Sequence, residues 1–261
     1  MKKLRIGFTL IEVLIALAIL GIIIIALFQT IAGTTAVSNS SNTSNELIRE
    51  GQIAQQILTS RIKEACYIYP SATNITLANS GYTTQNGIAT PPGFNWTVNT
   101  DPIVALILPP DSSDTTGKIY RFFVYYAIPR SQYVNNAASS INPGRDAAND
   151  GTVWMLMEYY NPIDTSNTAN FPANSTCAQL AANSAFLYAG LSGRLLTDFI
   201  APVTTNSDLL SVGGTDPAGG AGFARFNLRL QRTTGANTVR VGGGASGTTL
   251  TGIVYPQNLG L

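Results

Sequence analysis

The stretch GFTLIEVLIALAILGIIIIALF at residues 7–28 decides how this chain is organised. From residue 13 to residue 28 it contains only valine, leucine, isoleucine, alanine, glycine and phenylalanine, and no charged side chain occurs between Glu12 and Glu46. At about 1.5 Å per residue, a helix over residues 8–32 would be about 37 Å long. Because the hydrocarbon core of a bilayer is roughly 30 Å thick, the segment predicts a membrane-spanning helix.

The basic residues around this segment predict its orientation. Lys2, Lys3 and Arg5 lie immediately before it, and no matching basic cluster follows it. Basic flanks remain on the cytoplasmic side of a membrane. We therefore expect a single-pass inner-membrane protein with a cytoplasmic N-terminus and with residues 34–261 on the outer side.

Three kinds of protein begin in this way: one with a cleaved secretory signal, one with a plain signal anchor, and one with a short leader whose apolar helix is kept after cleavage. The residues 32–34 could form a secretory cleavage site, but the apolar stretch is long for that role. Glu12 favours the third kind, because a carboxylate in a membrane span is costly and needs a partner. Cleavage after Gly7 would supply one, since the new α-amino group of Phe8 on a neighbouring copy could pair with Glu12 only in the correct register.

Residues 7–12, Gly-Phe-Thr-Leu-Ile-Glu, resemble the N-terminus of the type IV pilin and pseudopilin superfamily, where a short basic leader and a glycine precede an apolar helix. The resemblance covers about 25 residues. It implies that a prepilin peptidase cleaves between Gly7 and Phe8 and N-methylates Phe8, and that Glu12 is the filament-assembly carboxylate. It also implies an α+β fold, in which a long N-terminal helix packs on an antiparallel, β-rich head.

We expect four regions: a leader at 1–7, a membrane or filament-core helix at 8–32, an amphipathic continuation of that helix at 33–69, and the head at 70–261. The continuation carries apolar or small residues at helical spacing, a pattern that predicts one face docked on a sheet. These are Leu47, Gly51, Ala54, Leu58, Ile62 and Ala65, with Ile48, Ile53 and Ile57 widening the stripe. Pro70 is expected to stop the helix, and the polar residues 34–45 are poor helix formers that could loosen it.

Beyond Pro70, runs rich in β-branched and aromatic residues predict strands. The expected ranges are 103–108, 118–128, 152–160, 199–203, 222–231, 238–241 and 249–255, with a short helix over 177–188. Within 222–231, Phe226, Leu228 and Leu230 alternate with polar residues, which is typical of one strand with a buried face.

The composition limits the partners of the chain. Only 11% of the residues are charged. Beyond the leader the chain has 12 basic and 14 acidic residues, so its net charge gives no strong attraction to nucleic acid. Cys66 and Cys177 allow one disulfide, or they remain two free thiols. A disulfide would close a loop of more than 100 residues and could stabilise the fold by roughly 4 to 5 kcal/mol.

The sequence of the head offers few residues that could act in catalysis or bind a metal or cofactor. The chain has no histidine, which removes the commonest general base and a common metal ligand. The pairs Asp111/Asp114 and Asp146/Asp150 are typical of solvated turns, although the second could offer oxygen ligands to calcium. Residues 242–247 satisfy GxGxxG but lack a following helix, so we expect a hairpin loop. We predict no enzymatic activity, no cofactor and no metal.

The aromatic residues at 120–126 are of the type on which the bases of single-stranded DNA stack. Only Arg121 and Arg130 lie nearby, and aromatic strands are more often part of a core, so we expect nucleic acid to be an unlikely partner.

The order of the strand blocks is similar to that of minor pilins of the PilW type and of pseudopilin J. The resemblance implies a minor type IV pilin with a priming, tip or lateral role, and with a part in motility, adhesion or DNA uptake. Its partners would be other pilins, the prepilin peptidase, the inner-membrane assembly platform and, before assembly, membrane lipid. After assembly it would lie in a cell-surface or periplasmic filament. The alternatives are a type II secretion pseudopilin and a non-polymerising membrane-anchored binding module.

Overall fold

A computed structural model describes residues 9–166, 171–172, 175–183, 192–203, 208–235, 237–242 and 250–258 of the chain. The chain divides into two compact units, residues 1–43 and residues 44–261. The first helix, α1, spans Leu10–Glu64 and has residues in both units.

In the first unit, α1 continues without a break through the polar residues that were expected to loosen it. The hydroxyls of Thr30, Thr34 and Thr35 each donate to the backbone carbonyl four residues earlier, at 2.9 Å. The three hydroxyls are thus accommodated within the helix, by the i−4 bond that threonine makes inside helices. The absence of proline from residues 8–69 is consistent with this continuity.

In the second unit, the predicted stripe of α1 faces the core. Leu47, Ala54, Leu58 and Ile62 are buried, and Ile48 and Ile57 pack against the core from its edge. The expectation for Ile53 was wrong, because that side chain is 46% exposed. The helix ends at Glu64 and not at Pro70, because the backbone of Cys66 and of the next residues joins the sheet.

Twelve strands and two further α-helices follow α1 in the described residues. The strands are β1 Tyr67–Ile68, β2 Asn74–Thr76, β3 Asn95–Thr97, β4 Ile103–Leu108, β5 Ile119–Pro129, β6 Trp154–Asp164, β7 Arg194–Ile200, β8 Leu210–Gly213, β9 Phe223–Asn227, β10 Leu230–Thr234, β11 Asn237–Val241 and β12 Thr251–Val254. The short helices are α2 Arg130–Val134 and α3 Cys177–Ala182.

The strands form three antiparallel sheets. The largest has the order β1-β4-β5-β6-β7-β10-β11, and the others have the orders β12-β9-β8 and β2-β3. Strand β4, next to the edge strand β1, is buried along its whole length, as is most of β5. The second unit is therefore built on an antiparallel, β-rich core with the end of α1 packed on it, and the predicted α+β pilin-like fold is confirmed.

Two predicted strands differ from the structure by more than the positions of their ends. The single strand expected over 222–231 is two strands in two sheets, because the chain changes sheets at Leu228 and Arg229. The Leu228 N–H donates to the Leu250 carbonyl, whereas the Arg229 carbonyl accepts from the Ala201 N–H. Leu228 and Leu230 are both buried, so the alternating pattern is satisfied although the strand is interrupted.

The strand expected over 199–203 lies earlier, at Arg194–Ile200. Its end is irregular: β7 holds one extra residue relative to β6 on each side of Thr197, and Phe199 has a φ of +59°. Such bulges interrupt the alternation of side chains between the two faces of a sheet, so the sequence pattern gave the wrong bounds.

The structure joins Cys66 to Cys177 by a disulfide; the Cα atoms are 6.0 Å apart, and the two residues are 111 positions apart along the chain. Cys66 follows the end of α1, and Cys177 begins α3. Thr176 and Gln179 form a capping box at the start of α3. The described part of the expected helix over 177–188 ends at Ala182, and residues 184–188 lie outside the described residues.

Candidate functional site

Thr9 and Glu12 cap the N-terminal end of α1. The Thr9 backbone N–H and hydroxyl both donate to Glu12 Oε2 at 2.9 Å. In return, the Glu12 N–H approaches the Thr9 hydroxyl oxygen at 3.4 Å. This reciprocal arrangement is a capping box, which satisfies N–H groups that have no partner inside the helix.

The sequence analysis missed this second role of Glu12. The signal was present, because Thr9-Leu10-Ile11-Glu12 fits the pattern of a capping box before an apolar run. Glu12 therefore has a local function that needs no second subunit. An experiment on filament assembly must separate the negative charge of Glu12 from its contribution to the helix cap.

The apolar residues after Glu12 have no partner in the described part of the chain. Every large apolar side chain from Leu10 to Ile31 is exposed. Among the described helices, α1 is the one long and apolar enough to cross a membrane, and none of its most apolar window is buried. These residues are consistent with anchoring in a membrane by a single N-terminal helix.

The other predicted residues of this site lie apart from Glu12 or outside the described residues. Gly7 and Phe8, the expected cleavage and methylation positions, lie outside the described residues. Cys66 and Cys177 belong to the second unit, where both are buried.

Asp111 and Asp114 stabilise the turn between β4 and β5. Asp114 accepts hydrogen bonds from the Thr116 hydroxyl and from the N–H groups of Thr116, Lys118 and Ile119. These bonds, the Thr116 hydroxyl first, lower the pKa of Asp114 from 3.8 to about 2. The pKa of Asp111 is also lowered, chiefly by its bonds to Ser113. Both carboxylates act as turn caps, as the sequence predicted.

The carboxylate of Asp150 binds an arginine of the same chain. Arg130, which is buried, forms an ion pair with Asp150 and donates to the Gly144 carbonyl. Its Nε also bonds both carboxylate oxygens of Asp198, at 3.0 and 3.1 Å. The guanidinium thus occupies the oxygen-rich loop that the sequence offered as a calcium site, and Asp146 caps the same loop through Ala148 and Asn149.

The aromatic strand belongs to the core. Phe122, Phe123, Tyr125 and Tyr126 are buried, and Arg61 lies over the Phe123 ring, 4.7 Å from its centroid. The Tyr125 hydroxyl donates to the buried Glu158 at 2.8 Å, and Arg194 binds that carboxylate from the surface. Burial and the Glu158 charge raise the pKa of Tyr125. These rings are not available as a stacking platform.

No cluster of three or more histidine, cysteine or acidic side chains that could hold a metal ion occurs among the described residues. Of the residues 242–247 that satisfy GxGxxG, only Gly242 is described. It has a φ of +83°, and a Cβ there would lie 2.4 Å from the Leu228 carbonyl oxygen. A glycine is therefore required by the backbone at this turn.

Comparison with known proteins bears on the N-terminal segment. Residues 2–28 match the family model described as the prokaryotic N-terminal methylation motif. The match covers about a tenth of the chain and includes the predicted residues Gly7, Phe8 and Glu12. No curated protein and no solved structure matches the chain significantly. The motif indicates a structural subunit of the pilin or pseudopilin type.

Proposed function

We propose that this chain, which carries the prepilin-type N-terminal motif of the type IV pilin superfamily, is a minor type IV pilin. A prepilin peptidase removes residues 1–7 and N-methylates Phe8. Residues 8–32 hold the subunit in the inner membrane and then enter the core of a filament, whereas the head makes lateral, priming or tip contacts. The remaining part of α1 connects these two regions.

The match of residues 2–28 to the methylation motif is the observation that carries this proposal. Two further features support it. The exposed apolar surface of α1 needs an environment that the described part of the chain does not supply. A head of this size is also large for a subunit that forms the bulk of a filament. The same motif occurs in pseudopilins of type II secretion systems, which use the same mode of assembly.

The proposed role of Glu12 is to pair with the Phe8 amine of a neighbouring subunit. A carboxylate in an apolar filament core is stabilised only if it meets a cation, and cleavage after Gly7 creates that cation. Glu12 would then exchange part of its capping interaction with Thr9 for an intermolecular ion pair.

Two substitutions separate the charge of Glu12 from its capping role. Glu12→Gln removes the charge but keeps a residue that serves in a capping box, whereas Thr9→Ala removes the cap but keeps the charge. We expect Glu12→Gln to lower recovery of the subunit in sheared filaments at least about tenfold, because an unpaired amine would remain in the core. Thr9→Ala should lower recovery about fivefold at most, since a helix cap is worth about 1 kcal/mol.

The measurement is the ratio of filament to membrane protein by quantitative immunoblot, with equal expression in all strains. If Glu12→Gln assembles like the wild type, the pairing proposal is wrong, and Glu12 is only a helix cap. If the wild type remains in the membrane while other subunits assemble, the chain is a membrane-anchored module that does not polymerise.

A further inference from the structure

The outer side of β11 is an open edge of the largest sheet. β11, Asn237–Val241, is the last strand in the order of that sheet, and it pairs with β10 on its inner side. No backbone hydrogen bond reaches its outer side from the described part of the chain. An unpaired edge offers a row of N–H and C=O groups on which a further strand can be built.

Other edge positions of the two larger sheets are covered. The Asn99 side chain bonds both the N–H and the carbonyl of Val212 in β8, at 2.8 and 3.0 Å. The Asn149 side chain does the same for Thr233 in β10, at 2.8 and 2.9 Å, and a backbone N–H before β9 bonds the outer side of β1. Within the described residues, the edges of β11 and β12 have no such cover. Of these two strands, only β11 carries a charged side chain.

The hydrogen bonds of β10 determine which backbone groups of β11 point outwards. In an antiparallel pair, residues that exchange backbone hydrogen bonds alternate with residues whose backbone groups point away from the partner strand. The N–H and carbonyl of Thr233 point away from β11, because both bond to Asn149. Thr238 lies opposite Thr233, and Arg240 follows two residues later. The N–H and carbonyl groups of Thr238 and Arg240 therefore point to the open edge.

The side chains at this edge carry an unbalanced positive charge. Thr238 and Arg240 are exposed on one face of β11, whereas Val239, on the other face, packs against the core. Arg240 forms no ion pair within the described residues. Residues 217–261 contain four arginines and no aspartate or glutamate. The neighbouring sequence therefore supplies no carboxylate for Arg240.

We propose that β11 binds an extended segment of a partner protein by antiparallel strand addition. The segment has the order acidic, apolar, hydroxyl: a carboxylate opposite Arg240, an apolar side chain beside Val239, and a threonine or serine opposite Thr238. Opposite charges and pairs of hydroxyl side chains stabilise neighbouring strands, and the backbone hydrogen bonds supply affinity. β11 itself contains no acidic residue, so a second copy of β11 would leave Arg240 without a carboxylate. The inference goes beyond the proposed function and does not depend on it.

The probe is the peptide Ser-Val-Glu-Ile-Thr-Val-Ser with a fluorescent label at its N-terminus. Full-length protein in a non-ionic detergent is added, and binding is followed by fluorescence anisotropy. We expect saturable binding. N-methylation of the peptide glutamate and threonine should weaken it at least about tenfold, because the N–H groups that bond β11 are lost. N-methylation of the isoleucine and the second valine, whose N–H groups point away from β11, should weaken binding less than about threefold.

Substitutions of the protein test the charge pair. Arg240→Gln should weaken binding of the peptide about threefold to fivefold, as is expected for loss of a cross-strand pair of opposite charges. Arg225→Gln makes the same charge change at an exposed position of β9 and should weaken binding less than about twofold. Arg240→Glu should reverse the preference, so that a peptide with lysine in place of glutamate binds about fivefold more tightly than the original peptide.

Three results would overturn the proposal. The first is the absence of saturable binding to the wild type, and a wild type that forms dimers under the same conditions would then assign this edge to a second copy. The second is equal binding of the two N-methylated peptides, because strand addition requires one edge of the peptide. The third is equal weakening by Arg240→Gln and Arg225→Gln, which would mean that the arginines of residues 217–261 attract acidic peptides without strand pairing.

Discussion

Two isoleucines of the same helix show how differently the two units use apolar residues. Ile22, in the first unit, is 68% exposed, whereas Ile62, in the second, is 2% exposed. Residues 13–28 of the first unit are apolar on all sides of the helix, whereas the α1 residues of the second unit are apolar on one face only. A helix that is apolar all round belongs in a membrane or in the interior of an assembly. The head supplies its own core, whereas the apolar residues of the N-terminal helix contact no core among the described residues.

This difference predicts that substitutions in the head change its stability and that substitutions in residues 10–32 change assembly alone. Both tryptophans, Trp96 and Trp154, lie in the head, so tryptophan fluorescence reports on the unfolding of that unit. The predictions below use urea unfolding of the full chain in a non-ionic detergent, from the largest expected effect to the smallest.

The largest effect is expected from the disulfide. Replacing Cys66 and Cys177 together by serine removes a link across 111 residues, and the free energy of unfolding should fall by about 4 kcal/mol. A wild-type sample unfolded and refolded with a reductant should behave like the double variant. If the free energy of unfolding fell by less than about 1 kcal/mol, the disulfide would contribute little by restricting the unfolded chain.

The next effect is expected from Arg130→Met. The variant keeps the volume of the side chain but leaves Asp198 and Asp150 without their cation. The free energy of unfolding should fall by about 3 kcal/mol, because a buried charge is left unpaired. Arg145→Met, on the exposed rim of the same region, serves as the control and should change stability by less than about 0.5 kcal/mol. Equal effects of the two variants would contradict the buried network.

Two glycines of α1 give a direct comparison of the two units. A Cβ at Gly51 would lie 2.3 Å from Leu250 Cδ1 and 3.0 Å from Leu230 Cδ1, whereas a Cβ at Gly21 would meet nothing within 4 Å. Gly51→Ala should therefore destabilise the head by about 1 kcal/mol through overpacking, partly offset by better helix propensity. Gly21→Ala should leave head unfolding unchanged. A change in head stability with Gly21→Ala would mean that the units are not independent.

The smallest effect concerns the Asp114 turn and its dependence on pH. The folded state lowers the pKa of Asp114 to about 2, so the ionised form stabilises the head above the unfolded pKa of 3.8. This contribution is lost as the pH falls from 3.8 towards 2. The difference in the free energy of unfolding between wild type and Asp114→Asn should be constant above about pH 5 and should shrink as the pH falls from 3.8 towards 2. A difference that does not change with pH would contradict the turn cap.

The sequence predicted the features that depend on regular spacing. Leu47, Ala54, Leu58 and Ile62 recur at helical intervals, so the docked face of α1 could be identified without the structure. The pairing of two cysteines could be expected but not decided, because the approach of Cys66 to Cys177 depends on how the sheet brings α3 to the end of α1.

The features that the sequence did not reveal depend on local irregularity. The bulges around Thr197 and the positive φ of Phe199 break the period of two on which strand prediction relies. Arg130 was considered only as surface charge, because its partners Asp150 and Asp198 lie 20 and 68 residues away along the chain.

The central claim is that residues 8–32 are a processed helix shared between subunits. It is tested most directly by mass spectrometry of the N-terminal peptide of this protein taken from the sheared filament fraction. The account predicts a peptide that begins at N-methylated Phe8. A protein that retains residues 1–7, or that is absent from filaments formed by its neighbours, would contradict it.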